Sequence, residues 1–184
     1  ADGRPVQSLQ GRSESWKIAV SSDEKFLAIA SDRGVQICNI SAGAALQDLE
    51  SKLSSASTLS FHPELSMLAY GTRQHGKFVE IRNLDESETF AQIGHSYGVD
   101  IVSFSPDGSV LATYSGGELF FWLLWGPITL DFSHRFVSQA KQIAFSRDWR
   151  FIATVESNAI GVWELESGFS DSHRNLHLRK LKEL

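Results

Sequence analysis

The stretch Val102-Ser103-Phe104-Ser105-Pro106-Asp107-Gly108-Ser109-Val110-Leu111-Ala112 decides how this chain folds. Two strand-forming runs flank Ser-Pro-Asp-Gly, where proline presets φ, aspartate bonds nearby backbone N–H groups and glycine tolerates positive φ. The pattern recurs at residues 18–28, 59–69 and 143–153. Its anchors Val20, Phe61, Phe104 and Phe145 lie 41, 43 and 41 residues apart. Each unit predicts three strands and a weaker fourth. In unit three the first two strands cover 99–105 and 110–115. Third strands are expected at 35–40, 78–84, 119–124 and 160–165, and fourth strands at 45–49, 89–93 and 128–132. Unit two has three extra residues around Gln74-His75-Gly76, which lengthen a hairpin loop. Runs such as Phe26-Leu27-Ala28-Ile29-Ala30 are apolar on both faces, as suits a sheet packed between other sheets. The chain therefore reads as all-β: a β-propeller of about four four-stranded blades, either a small ring or part of a larger one.

The composition agrees. Of 184 residues, 42% are hydrophobic and 21% charged, which excludes a disordered chain and allows a sizeable core. Seventeen basic residues against 22 acidic ones give a net charge of −5, which disfavours a broad nucleic-acid surface. The longest apolar run, 119–125, has seven residues, short of the roughly 18 that a spanning helix needs. Cys38 is the single cysteine, so no internal disulfide forms. That suits a reducing, intracellular setting, cytoplasmic with the nucleus left open.

These residues resemble the WD-repeat (β-transducin-like) family over roughly residues 5–168. Unit three matches best, with Gly94-His95 upstream, Phe-Ser-Pro-Asp-Gly at 104–108, Leu111-Ala112-Thr113, and Trp122 ending its third strand. Unit four keeps Val162-Trp163-Glu164, with Glu for the family Asp. Unit one keeps Ser31-Asp32 but has Ile37-Cys38-Asn39 in the Trp-Asp place, and unit two has Ile81-Arg82-Asn83 there. The resemblance implies a buried network of His, Asp, Ser or Thr, and Trp in a blade. Its members in unit three would be His95 and Trp122, with Thr113 or Ser115 as the hydroxyl. Trp163 and Asp32 fill single places in units four and one. The turn Gly116-Gly117-Glu118 lacks the aspartate, and no unit holds all four members. Trp122 and Trp163 are expected to be largely buried between blades.

The repeats occupy 1–168, with units at about 15–50, 56–93, 99–133 and 140–168. Residues 5–9 read as an outer strand, and unit four has no clear fourth strand. Pairing of 5–9 with 160–165 would close a ring, and the alternative is a longer array. Residues 169–184 form a basic tail in which Leu178, Leu181 and Leu184 hint at a short helix from about Asn175.

No catalytic, cofactor or metal residue is assigned. His173 and His177 share helical spacing but lack a third ligand, and Cys38 replaces a core residue with no nearby histidine. Neither a Gly-x-Ser-x-Gly elbow nor a phosphate loop with its lysine is present. Asp23, Asp107 and Asp148 recur at one turn and read as turn residues rather than calcium ligands. Leu123, Leu124 and Trp125 replace the polar exit that follows the family tryptophan, leaving core packing or partner contact open. The resemblance implies a scaffold or sensing module that binds other proteins or peptides. No nucleic acid and no membrane span are expected, and self-association to complete a ring is an option. The alternatives are an enzyme-type propeller of the hydrolase or lactonase class and a fragment of a multidomain WD-repeat regulator.

Overall fold

The computed structural model describes residues 15–40, 47–48, 55–72, 77–124, 126–136, 140–156, 159–170 and 173–183. Among these residues there are sixteen strands and no helix. Sheet 1 comprises β1 (Ser15–Val20), β2 (Phe26–Ser31), β3 (Gly34–Asn39) and β4 (Gln47–Asp48). Sheet 2 comprises β5 (Thr58–Phe61), β6 (Met67–Gly71), β7 (Phe78–Asn83) and β8 (Glu88–Gly94). Sheet 3 comprises β9 (Val99–Phe104), β10 (Val110–Ser115), β11 (Glu118–Leu123) and β12 (Thr129–Arg135). Sheet 4 comprises β13 (Gln142–Phe145), β14 (Phe151–Val155), β15 (Ile160–Ser170) and β16 (His173–Glu183). Each sheet is an antiparallel meander whose strand order follows the sequence, as in propeller blades.

The first turn of each blade explains the repeated motif. Asp107 Oδ1 accepts bonds from Ser105 Oγ at 2.6 Å and the Ser109 N–H at 3.1 Å, while Ser105 Oγ accepts from the Val110 N–H at 2.9 Å. Ser21 and Asp23 repeat this in sheet 1, and Ser146 and Asp148 in sheet 4. The residue after the aspartate is left-handed in all three: Glu24 at φ 58°, Gly108 at 69° and Trp149 at 57°. A tryptophan at such a φ is strained. Trp149 is held there by burial, stacked on Phe145 at 4.7 Å and edge-on to Phe121 of sheet 3.

The repeated Leu/Ile-Ala pair carries the packing. Successive strand residues face opposite ways. Leu68 therefore packs towards sheet 1, with Ala28, Ala30 and Val35, while Ala69 packs towards Val102, Phe104 and Leu111 of sheet 3. In sheet 3, Leu111 faces back to sheet 2, and Ala112 faces Ile152 and Trp163 of sheet 4. A large residue looks back and a small one looks forward, so three apolar seams join the four sheets. Among the described residues no such cluster joins sheet 4 to sheet 1. The forward face of sheet 4 leaves Ala144 and Ala153 exposed, with Val155 and Ile160 at 36% and 45%. On the backward face of sheet 1, Ile18 and Val20 are exposed at 66% and 53%.

Two expectations are corrected at the C-terminus. Residues 173–183 form a strand, not a helix, and the hairpin of β15 and β16 crosses the expected boundary at 168/169. β16 is the fourth strand that unit four seemed to lack, and it pairs Gly161 with Glu183 and Leu165 with Leu178. β15 therefore already has a neighbour on each edge, and the edge expected to receive residues 5–9 is taken. The physical reason is the free ladder of β15, which the adjoining segment satisfies locally. Leu178 packs on the sheet 3–sheet 4 core while Arg179 turns outward to Glu164 and Glu166. Residues 5–9, like Gln74-His75-Gly76, lie outside the described residues.

The asymmetry of the seams predicts opposite outcomes at one repeat position. Ala112→Leu should overpack a closed seam and cost about 1–3 kcal/mol in urea unfolding. Ala153→Leu should change stability by less than about 0.5 kcal/mol, because its side chain meets no neighbouring blade. Equal costs at both positions would refute the packing scheme.

Candidate functional site

Unit three assembles a hydrogen-bonded chain. Trp122 Nε1 donates to Thr113 Oγ1 at 2.9 Å, and Thr113 Oγ1 lies 3.1 Å from His95 Nε2. Thr113 is fully buried, and its hydroxyl, having accepted from the indole, keeps one hydrogen for the imidazole. Burial pulls the pKa of His95 down to about 4, so the ring is neutral near pH 7. His95 also meets the edges of Phe120 and Trp122 at 5.0 and 5.7 Å. Of the two candidate hydroxyls, Thr113 makes the contact, while Ser115 Oγ donates to the Tyr97 carbonyl at 2.9 Å. Trp122 is half-buried, less than expected, because it lines an open recess beside β8.

Other blades fill the same positions with different chemistry. In sheet 4, Trp163 Nε1 donates to Thr154 Oγ1 at 3.0 Å, and Trp163 is 8% exposed. A Cβ on Gly161 would stand 2.7 Å from both bonded atoms, so glycine makes room for this bond. His134 packs edge-on to Trp163 at 4.9 Å, the place His95 takes beside Trp122. The sequence reading missed His134, although its distance from Trp163 nearly repeats that of His95 from Trp122. In sheet 2, Arg82 stands at the tryptophan position and Tyr70 at the threonine position. Glu80 accepts from Tyr70 Oη at 2.8 Å, Thr89 Oγ1 at 3.1 Å and Gln92 Nε2 at 2.9 Å, and it pairs with buried Arg82 at 3.7 Å. Alternation alone marks Glu80 as a half-exposed strand residue, so this buried cluster had no local sequence signal.

The WD domain, G-beta repeat model matches residues 87–122. That stretch starts at the edge of sheet 2 and ends on Trp122, so it contains His95, Thr113 and Trp122 together. The WD repeat-containing protein SL1-17 of Schistosoma mansoni is 32% identical over 115 residues, covering 61% of this chain and 38% of that protein. Both matches support a WD-repeat family for this chain. The chain spans well under two thirds of that relative's length. WD-repeat chains generally serve as protein-interaction scaffolds, and the His95-Thr113-Trp122 set centres on the fully buried Thr113.

The remaining expected positions fall apart in space. Asp32 is exposed in the β2–β3 turn. Leu123 and Leu124 are both half-buried, but Leu123 packs on the sheet 3–sheet 4 seam and Leu124 on the sheet 2–sheet 3 seam. They form no single exposed patch, because strand alternation sends them to opposite sides. Trp125 lies outside the described residues. Among the described residues no group of three His, Cys, Asp or Glu could hold a metal ion, and no helix is long and apolar enough to cross a membrane.

Trp163→Ala should lose about 3–5 kcal/mol in denaturant unfolding. Thr113→Val should lose about 1–3 kcal/mol, since it leaves the indole N–H without its partner. Burial also lowers the pKa of His62 and His134. Each of these histidines is harder to protonate in the fold than in the unfolded chain, which takes up protons below about pH 6.5. Stability should therefore be full above about pH 6.5 and fall as the pH drops towards 4, the folded value for His95. His95→Asn should flatten that slope in urea titrations across the window, and a parallel slope would contradict the assignment.

Proposed function

We propose that this chain is a protein-interaction scaffold or sensing module with no catalytic activity of its own. Its partners are proteins or peptides, including a second copy that completes the array of blades. The observation that carries this reading is the forward face of sheet 4, where Ala144, Ala153, Val155 and Ile160 are exposed together beside half-buried Phe151 and Val162. Contiguous apolar surface of this kind marks an interaction site. Three times within the chain, an equivalent face is covered by the backward face of the next blade. The backward face of sheet 1, with Ile18 and Val20, belongs to the same class, so two copies can meet head to tail. A cytoplasmic location is part of this proposal, supported by the chain's single cysteine, Cys38, which cannot form an internal disulfide.

Sedimentation velocity of the whole chain should show concentration-dependent assembly. Val155→Asp combined with Ile160→Asp should return it to the monomer without altering the circular dichroism. A wild-type chain that stays monomeric throughout, or assembly untouched by the double substitution, would overturn the head-to-tail partner.

A further inference from the structure

A second surface lies on the rim between sheets 2 and 3. β8 is the outer strand of its sheet, bonded only to β7. Ala91 pairs with Ile81 and Thr89 with Arg82, so Phe90 is the extra residue of a β-bulge. The same bulge recurs opposite Trp122 and Trp163, where Asp131 and Leu181 are the extra residues. Bulges re-aim side chains. Here the bulge turns the Phe90 ring outward, 55% exposed, at the junction of two recesses. One, of about 540 Å³, is bounded by Trp122, Pro127 and Ile128. The other, of about 340 Å³, is floored by Met67, Ile81 and Leu124 and flanked by Leu65, itself 57% exposed.

The charge around this groove has one sign. Glu64 and Asp107 line the smaller recess, and Asp85, Glu86 and Glu88 are exposed on the turn leading into β8. Among the described residues no lysine or arginine lines either recess. We infer that the groove at Phe90 takes an extended peptide segment whose large apolar side chain enters the Met67–Leu124 recess and whose flanking lysine or arginine faces Glu64. The apolar floor supplies affinity, and the carboxylate rim selects basic over acidic segments. This inference rests on the scaffold reading but uses a surface remote from Val155 and Ile160, so the two fail separately.

The test is selection of displayed random peptides of about seven residues on the full chain. One enriched sequence is then synthesised and its binding measured by fluorescence anisotropy. Enriched peptides should carry a large apolar residue bracketed by lysine or arginine. The synthetic peptide should bind about tenfold more weakly to Phe90→Ser and to Glu64→Lys, and equally well to Val155→Asp. Phe90 is exposed and Glu64 is at the surface, so both variants should keep the wild-type circular dichroism and melting curve. No enrichment, enrichment of acidic peptides, or binding unaffected by Phe90→Ser would overturn the inference.

Discussion

The two-sided demand on the second strand of each blade governs this structure. Such a strand is buried on both faces only if its neighbours on either side are blades as well. Leu68-Ala69 and Leu111-Ala112 meet that demand with one large and one small residue, so that each seam interlocks bulk against a hollow. The exposed Ala153 and half-buried Leu27 belong to the same pattern at the two ends of the stack. An isolated blade of this kind would expose most of its apolar surface, so each seam depends on the blade beside it.

Polar chemistry is threaded through these seams under the same constraint. A buried donor must find an acceptor, because leaving it unmade costs about 1–3 kcal/mol. Thr113 meets that need for Trp122, and Thr154 for Trp163. Glu80 gathers Tyr70, Thr89, Gln92 and Arg82 where sheet 2 has no tryptophan. The hydroxyl-bearing side chains of β5 reach the next blade directly. Ser60 Oγ accepts from the Phe104 N–H at 3.2 Å, and Thr58 Oγ1 from the Val102 N–H at 3.3 Å. His62, at the place of the turn serine, accepts the Glu64 and Leu65 N–H groups on Nδ1 and packs against Gly108 of sheet 3. The blades thus share a scaffold while differing in how each satisfies its interior.

The outer strands obey a looser rule, and there the chain differs most from blade to blade. β8 and β12 leave much of their surface to solvent, with Phe90 and Leu130 exposed at 55% and 47%. Nothing in the core fixes these residues, so the rim can vary without disturbing the seams. Recognition surfaces on a repeat scaffold arise in such places, where exposed side chains are carried on rigid strands.

The sequence by itself determined the repeat, the Ser-Pro-Asp-Gly turn and the all-β class, because period and turn chemistry are local and recur in phase. Through the resemblance it also marked His95 and Trp122, with Thr113 or Ser115, as one set, and the structure chose Thr113. Tertiary structure alone decided the rest. The tail became β16 rather than a helix because the open ladder of β15 lies next to it, which residue spacing cannot reveal. Trp149 accepts a left-handed φ because Phe121 and Phe145 bury its ring. Leu123 and Leu124 were adjacent in sequence yet divided between two seams, since a strand sends successive side chains to opposite faces and only the neighbouring blades determine what each one meets.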